Sequence, residues 1–336
     1  ALADEAAEWV SDQILGRYSD HPATFGIWER QYSPQDVRYH VEFLVGALET
    51  SAPECFVDYV RWLSTVLRSR GVPVEMLSEL LGLILQFCES RLDVALASRT
   101  KAIIDAGMRA VSGESEASGK LYQYRMPEPM PQVEALTQCI LRGDARAARS
   151  LMLQGVHRNV DYLRIATHLF QPTLYRIGEL WERNEITVAG EHLATAIIRT
   201  LMVECYMSAK LKKPVRRKAL LAGVEQNRHV LGLRMVADAY CLAGWSVQYL
   251  GADTPTQALI AQTDVFRPDV VGLSASLVQQ LRTMKRAIEE LRSELGGQCP
   301  AIIVGGIPTN QIDQVWRWVG ADEWRSDAEK VFAEAA

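Results

Sequence analysis

The stretch from 218 to 336 constrains the fold most. Four short, mostly apolar strand candidates, 218–224, 246–250, 269–274 and 300–304, and a weak last one near 322–325 alternate there with longer segments of helical periodicity. The segments 218–224, 269–274 and 300–304 do not alternate apolar with polar residues, so both faces of those strands must be covered. Strands separated by helices are joined by crossovers and lie parallel. Five such units in about 120 residues predict a flavodoxin-like (Rossmann-type) doubly wound parallel sheet with strand order 2-1-3-4-5.

The residues ahead of this domain read as helices. In 1–111, "PQDVRYHVEFLVGALE" sets Val37, Val41, Leu44 and Leu48 on one face. "CFVDYVRWLSTVLRSRG" follows, and "VEMLSELLGLILQFCESRLDVAL" is apolar on most sides, which predicts a central buried helix. At 112–131, "SGESEASGKLYQYRMPEPMP" has the composition of a linker, flexible first and then stiffer. Four helical stretches with short joins fill 132–211 and predict a four-helix bundle. The basic "KLKKPVRRK" then leads into the α/β domain at 216–336. The expected protein is multidomain, α and α/β: a helical domain, a linker, a bundle and a parallel sheet.

Charge and composition exclude several functions. The net charge of −5 argues against a nucleic-acid partner, because neutralising phosphates needs a face rich in lysine and arginine. No run reaches the roughly 18 apolar residues of a membrane span, so no membrane partner is expected. The start, "ALADEAAEWV", has neither the basic end nor the apolar centre of a signal peptide. The six cysteines are widely spaced with no CxxC pair, which fits reduced, packing cysteines and a cytoplasmic location.

In doubly wound sheets, ligands bind beyond the carboxyl ends of the strands. Those ends carry "NRHVLG" (227–232) after the first strand, Ser274–Ser276 after the third, and Gly305 with Gly306 after the fourth. Paired glycines allow a ligand close to the backbone. The serines offer hydrogen bonds without bulk, and His229 can turn a ring nitrogen outward. A lone glycine pair after a strand is common, and a lone loop histidine is ordinarily a helix cap or a surface residue; their joint spacing is what carries information.

That spacing resembles cobalamin-binding domains, which have Asp-x-His-x-x-Gly, then Ser-x-Leu about 45 residues after the histidine, then Gly-Gly about 30 further on. The matching residues are His229, Gly232, Ser274, Gly305 and Gly306, and "GWSVQYLG" (244–251) is similar to the family's second strand. The resemblance implies that His229 binds cobalt from below. It also implies that the displaced nucleotide tail enters a crevice lined by Ser274, Ser276 and the glycines. Asn227 stands where the motif has aspartate. Its carbonyl could accept the other imidazole N–H but brings no charge, so weaker coordination is expected. Ser276 replaces the motif leucine.

"LWERNEITVAGEHLAT" (180–195) resembles the helical cap that covers the upper corrin face, in the Trp-x9-Glu-His form of the adenosylcobalamin-dependent light sensors of the CarH type. The resemblance implies that Trp181, Val188, Glu191 and His192 pack around an adenosyl group, which suits an aromatic partner in a dry pocket. The alternative is that Trp181 is core and Glu191–His192 simply a helix start. Glu182 follows the tryptophan where CarH-type sensors have a histidine that captures cobalt after light. Either His192 or water would take that position, so the lit state is expected to be less permanently locked.

Nothing in 1–111 is basic or turn-spaced like the DNA-binding domain of CarH-type proteins. On the helix from Asp36, His40 shares the apolar face of Val37 and Leu44, and the default is a core histidine bonded to a backbone carbonyl. Arg38 and Tyr39 are adjacent, with Trp28, Arg30, Tyr32, Arg61 and Trp62 as further candidates. Aromatics with arginines suit a flat, conjugated ligand carrying carboxylates. The whole order of domains resembles the photocobilins. That implies biliverdin in the N-terminal domain beside the corrin, and self-association that changes with light. It also implies a sensing rather than an enzymatic function. Cys55 or Cys88 could anchor a bilin, but noncovalent binding is expected. The competing expectations are a corrinoid carrier of a methyltransferase system, which shares the fold and His229, and a purely dimerising role for 1–111.

Overall fold

The computed structural model describes residues 2–18, 33–112, 128–157 and 161–336. Most of the expected linker, together with Trp28, Arg30 and Tyr32, lies outside the described residues. The chain divides into two compact units, Ala1–Tyr122 and Gln123–Ala336.

In the first unit, α1 (Leu2–Tyr18), α2 (Pro34–Glu49), α3 (Pro53–Ser69), α4 (Val74–Arg91) and α5 (Val94–Ser112) pack on one another. Ser33 starts α2 with a capping box, its side chain and that of Asp36 each satisfying the other's backbone N–H, and Pro34 supplies a first-turn residue that needs no donor. Of the expected α2 face, Val37, Val41 and Leu44 are buried together with His40, while Leu48 is only partly buried. Helix α4 buries Leu77, Leu80, Leu81, Ile84 and Phe87 on more than one side, as a central helix must. The long apolar segment that contains it is two helices. Leu92 is extended, and the Asp93 carboxylate accepts the Leu96 backbone N–H at 2.9 Å, so a short acidic side chain starts a new helix inside a continuous apolar pattern.

Where a backbone carbonyl is the default partner, His40 has a side-chain one among the described residues: its Nδ1 lies 2.5 Å from the Tyr59 hydroxyl. Tyr59 stacks on Phe43 with ring centroids 3.8 Å apart, and Tyr39, Phe56 and Trp62 complete an aromatic cluster. Burial pushes His40 down to about 4, against a small opposing pull from Asp36. The unfolded chain takes up this proton near pH ~6.5. The stabilisation is therefore complete above that pH and is lost as pH falls through about 4, amounting to up to about 3 kcal/mol. We expect urea midpoints of the full chain, read by hydrogen exchange in α2 and α3, to fall between pH 7 and 5. His40→Gln should flatten that slope; an unchanged slope would remove His40 as its source.

The second unit opens with four helices: α6 (Val133–Leu141), α7 (Ala145–His157), α8 and α9 (Val188–Met207). Helix α8 runs as Tyr162–Ile165, a π-helical turn Ala166–Phe170, and Gln171–Glu182. Pro172 accounts for the irregularity. It has no N–H for the His168 carbonyl four residues back, and that carbonyl instead accepts from the Met130 N–H at 2.8 Å.

Five parallel strands follow: β1 (Lys218–Gly223), β2 (Ser246–Gly251), β3 (Val270–Ser274), β4 (Ala301–Gly305) and the two-residue β5 (Glu323–Trp324). Their order is β2-β1-β3-β4-β5, as the sequence predicts, with Gly223 opposite Ser274 and Ser274 opposite Gly305. Between and after them lie α10 (Leu231–Leu242), α11 (Thr256–Phe266), α12 (Gln280–Leu295), the short α13 (Ile307–Gln311) and α14 (Val315–Trp318), and α15 (Ala328–Ala335).

Bundle and sheet share one apolar core. Leu163, Ile165, Phe170 and Met202 of the helices belong to the same cluster as Leu233 and Tyr240 of α10 and Val331 of α15. His168 on the π turn adds a contact to Glu329 of α15 at 3.0 Å. Four helices of this length leave an apolar face unpaired, and the face closes on the α/β layer. Among the described residues, no helix is long and apolar enough to cross a membrane.

Candidate functional site

The register of β1, β3 and β4 brings the three singled-out loops together at one end of the sheet. Asn227 is fully buried. Its Nδ2 donates to the Ser274 carbonyl at 2.8 Å, and its Oδ1 accepts the His229 backbone N–H at 3.1 Å. Its carbonyl thus serves the backbone of His229 and not the imidazole, which corrects the expectation from sequence. An aspartate here would have no hydrogen for the Ser274 carbonyl, so the amide pins the β1 loop to the β3 end in a way that a carboxylate cannot.

Two more contacts hold the His229 loop. The Ser276 hydroxyl donates to the His229 carbonyl at 3.2 Å. Gln280, buried at the start of α12, accepts from the N–H groups of Ser276 (2.8 Å) and Leu277 (3.1 Å) and donates to the Gln226 carbonyl at 3.0 Å. Sequence reasoning missed Gln280. The signal was a polar residue on the face that Met284, Ala287, Ile288 and Leu291 bury. Tyr249 of β2, also missed, donates its hydroxyl to the Val230 carbonyl at 3.2 Å. The His229 side chain is exposed, and among the described residues it makes no hydrogen bond, so its ring nitrogens are available to a ligand.

The glycine pair first serves a contact inside the protein. Gly306 has φ +112°, and a Cβ there would lie 1.9 Å from the Ala275 carbonyl oxygen. The β4 loop therefore touches the β3 loop directly, and Ser274, Ala275, Gly305 and Gly306 form a wall without bulky side chains. Gly232, exposed at the start of α10, borders open space.

The cap residues converge at the corner between α8 and α9. Trp181 is half-buried in the last turn of α8. Thr187 caps α9 by accepting the Gly190 N–H at 3.2 Å. The first turns of α9 then present Val188, 52% exposed, and the Glu191–His192 pair, with Oε2 and Nδ1 2.6 Å apart. Thr195 donates to the other Glu191 oxygen at 2.8 Å, which fixes the carboxylate and leaves the His192 ring outward.

Among the described residues, no cluster of three His, Cys, Asp or Glu side chains could hold a bare metal ion. A single exposed imidazole suits a metal that arrives in its own equatorial ring. Residues 217–336 match the family model described as a B12 binding domain, and residues 132–205 match a second model with the same description. Together they form a B12-binding module. The chain is similar to a corrinoid protein of Desulfitobacterium hafniense (strain Y51), 24% identical over 205 residues, which are 60% of this chain and 94% of that protein. It is also similar to the HTH-type transcriptional repressor CarH of Myxococcus xanthus, 31% identical over 144 residues, 43% of this chain; the match spans 47% of the repressor. The monomethylamine corrinoid protein of Methanosarcina barkeri shares the fold, with a TM-score of 0.52 at 18% identity over 60% of this chain and 95% of that one.

The residues of the module fit a cobalamin. An unpartnered imidazole stands at the crevice on a loop held by Asn227, Ser276 and Gln280, and the adjoining wall is made of small residues.

In the first unit, Arg38 is bound in ion pairs to Asp4 and Glu42, both at 2.8 Å, and is half-exposed. Tyr39 is exposed and lies edge-on to Phe43, while His40 is buried on Tyr59. Arg61 pairs with the buried Asp58 at 2.6 Å beside that aromatic cluster. Burial pushes the Cys55 thiol up to about 12 and the Cys88 thiol up to about 11. The thiolate is the nucleophile, so both are poor anchors for a covalent chromophore.

Proposed function

We propose that this protein is a light sensor that holds adenosylcobalamin in the B12-binding module, with His229 as the lower cobalt ligand. Adenosylcobalamin would supply a cobalt–carbon bond that visible light breaks. His229 offers one ring nitrogen, and the contacts of Asn227, Ser276 and Gln280 keep its loop from collapsing onto the sheet. Trp181 and Val188 would pack against the adenosyl group, and Glu191 and His192 would bond its polar edge. The observation that carries this reading is the α9 start: an exposed valine beside a histidine held outward by its own glutamate, on a cap that shares its core with the sheet. Loss of the adenosyl group would remove what Trp181 and Val188 pack on and bias the cap to move, and self-association would change with it. Glu182 does not offer an imidazole to the vacated position, so a stable bis-histidine form is not expected. In the first unit, the cluster of Tyr39, Phe43, Tyr59 and Trp62 beside Arg61 supports noncovalent biliverdin as a second chromophore.

The second reading is a corrinoid carrier in methyl transfer, favoured by the match to nearly the whole length of a corrinoid protein. One experiment separates the two. Protein loaded with adenosylcobalamin in the dark should change both its visible spectrum and its elution volume on illumination. A bound adenosyl form indifferent to light, with methylcobalamin turning over beside a partner methyltransferase, would establish the carrier. Loss of all bilin absorbance on gel filtration of biliverdin-treated protein would remove the second chromophore alone.

A further inference from the structure

Cap and sheet meet at a buried carboxylate. Asp238 of α10 is 2% exposed, and both its oxygens are used. One accepts from Arg234 Nε at 2.8 Å, and the other accepts from the hydroxyl of Tyr162, the first residue of α8. Tyr162 is itself buried, edge-on to Tyr206 of α9 with centroids 5.5 Å apart. On the other side, the Arg234 guanidinium lies over the Tyr249 ring, 5.6 Å from its centroid. The Tyr249 hydroxyl in turn donates to the Val230 carbonyl, one residue beyond His229. A line of three hydrogen bonds and one cation–π contact therefore links the first turn of a cap helix to the loop that carries His229.

We propose that Tyr162, Asp238, Arg234 and Tyr249 form a latch that ties the position of the cap to the position of the His229 loop. Its consequence for cobalt rests on the reading of His229 as the lower ligand; the mechanical coupling does not. These are positioning residues, since they act through the Val230 carbonyl and the α8 backbone. A buried carboxylate that loses one of two partners is strongly disfavoured, so the Tyr162–Asp238 contact resists sliding of the cap and breaks as a unit when the cap leaves. Asp238 then draws on Arg234 alone. Arg234 is the group that also covers Tyr249, so its shift loosens the hold on Val230. On balance burial raises the Asp238 carboxyl, and the Tyr162 and Arg234 contacts pull against that rise.

The test is backbone hydrogen exchange in the full chain without cofactor. Tyr162→Phe should speed exchange at 229–234 at least fivefold, although residue 162 belongs to the cap. Tyr249→Phe should do the same, and the double variant should be no faster than the faster single, because both cut one line. Arg234→Lys, which keeps the charge but loses the planar group over Tyr249, gives a second route to the same loosening. Tyr240→Phe, buried on the same helix but outside the line, should leave those amides within twofold of the parent. Unchanged exchange at 229–234 in Tyr162→Phe, or additive effects in the double variant, would overturn the latch. In cobalamin-loaded protein, Tyr162→Phe should lower the ratio of histidine-bound to histidine-free cobalt about fivefold. If parent and His229→Ala spectra coincide, the lower-ligand reading fails, and the exchange result still judges the latch.

Discussion

Gly306→Ala should cost the second unit several kcal/mol and abolish stable retention of cobalamin. The new Cβ would sit 1.9 Å from the Ala275 carbonyl oxygen and 3.0 Å from its carbon, both backbone atoms that cannot swing aside. The φ of +112° adds strain of about 1–3 kcal/mol, because that conformation is nearly closed to residues with a side chain. Relief requires the β4 loop to back away from the β3 loop, and this opens the crevice wall at Ser274–Ser276. Gly232→Ala is the matched control for stability alone, because Gly232 is itself one of the residues that match the cobalamin motif. Its Cβ would enter open space on a helix, where alanine is the better former, so stability should hold or rise slightly. Denaturation midpoints measure both variants, and cobalamin retained after gel filtration measures Gly306→Ala. A Gly306→Ala protein as stable and as well loaded as the parent would refute the contact.

His229→Ala should leave a folded protein whose bound cobalamin has lost its lower histidine signature. The side chain is exposed, and among the described residues it makes no hydrogen bond, so the fold loses little. The loop stays in place because Asn227 and Ser276 bond the His229 backbone and not its ring. Affinity should fall by at least the roughly 10–100-fold that removal of a supporting partner costs at metal sites, and added imidazole should restore part of the spectrum. Tight binding with an unchanged lower axial spectrum would end the proposal.

Much of this was legible in the sequence because it depends on local periodicity. The five strand positions and their order follow from apolar stretches and crossover rules, and the four bundle helices from 3.6-residue spacing with short joins. The start of α5 was not legible, since one carboxylate, that of Asp93, outweighs an apolar pattern that continues through it. At the site, the spacing of His229, Ser274 and Gly305 was readable, while the partners of Asn227 and the presence of Gln280 were not. Those depend on which backbone groups are left unpaired when two loops meet, and no single segment contains that information.

By itself, the sequence determined the layer architecture, the crevice end of the sheet and the imidazole placed there, because each follows from residue type and spacing within one segment. Only the tertiary structure decided that bundle and sheet share one core. It also decided that the asparagine serves the backbone rather than the ring, that Gly306 is required by Ala275, and that Tyr162 of the cap reaches Asp238. The physical reason is common to all four: an apolar face, a buried polar group or a missing Cβ is explained by the atoms it meets. Those atoms come from a part of the chain 47 residues away for Asn227 and Ser274, and 76 for Tyr162 and Asp238.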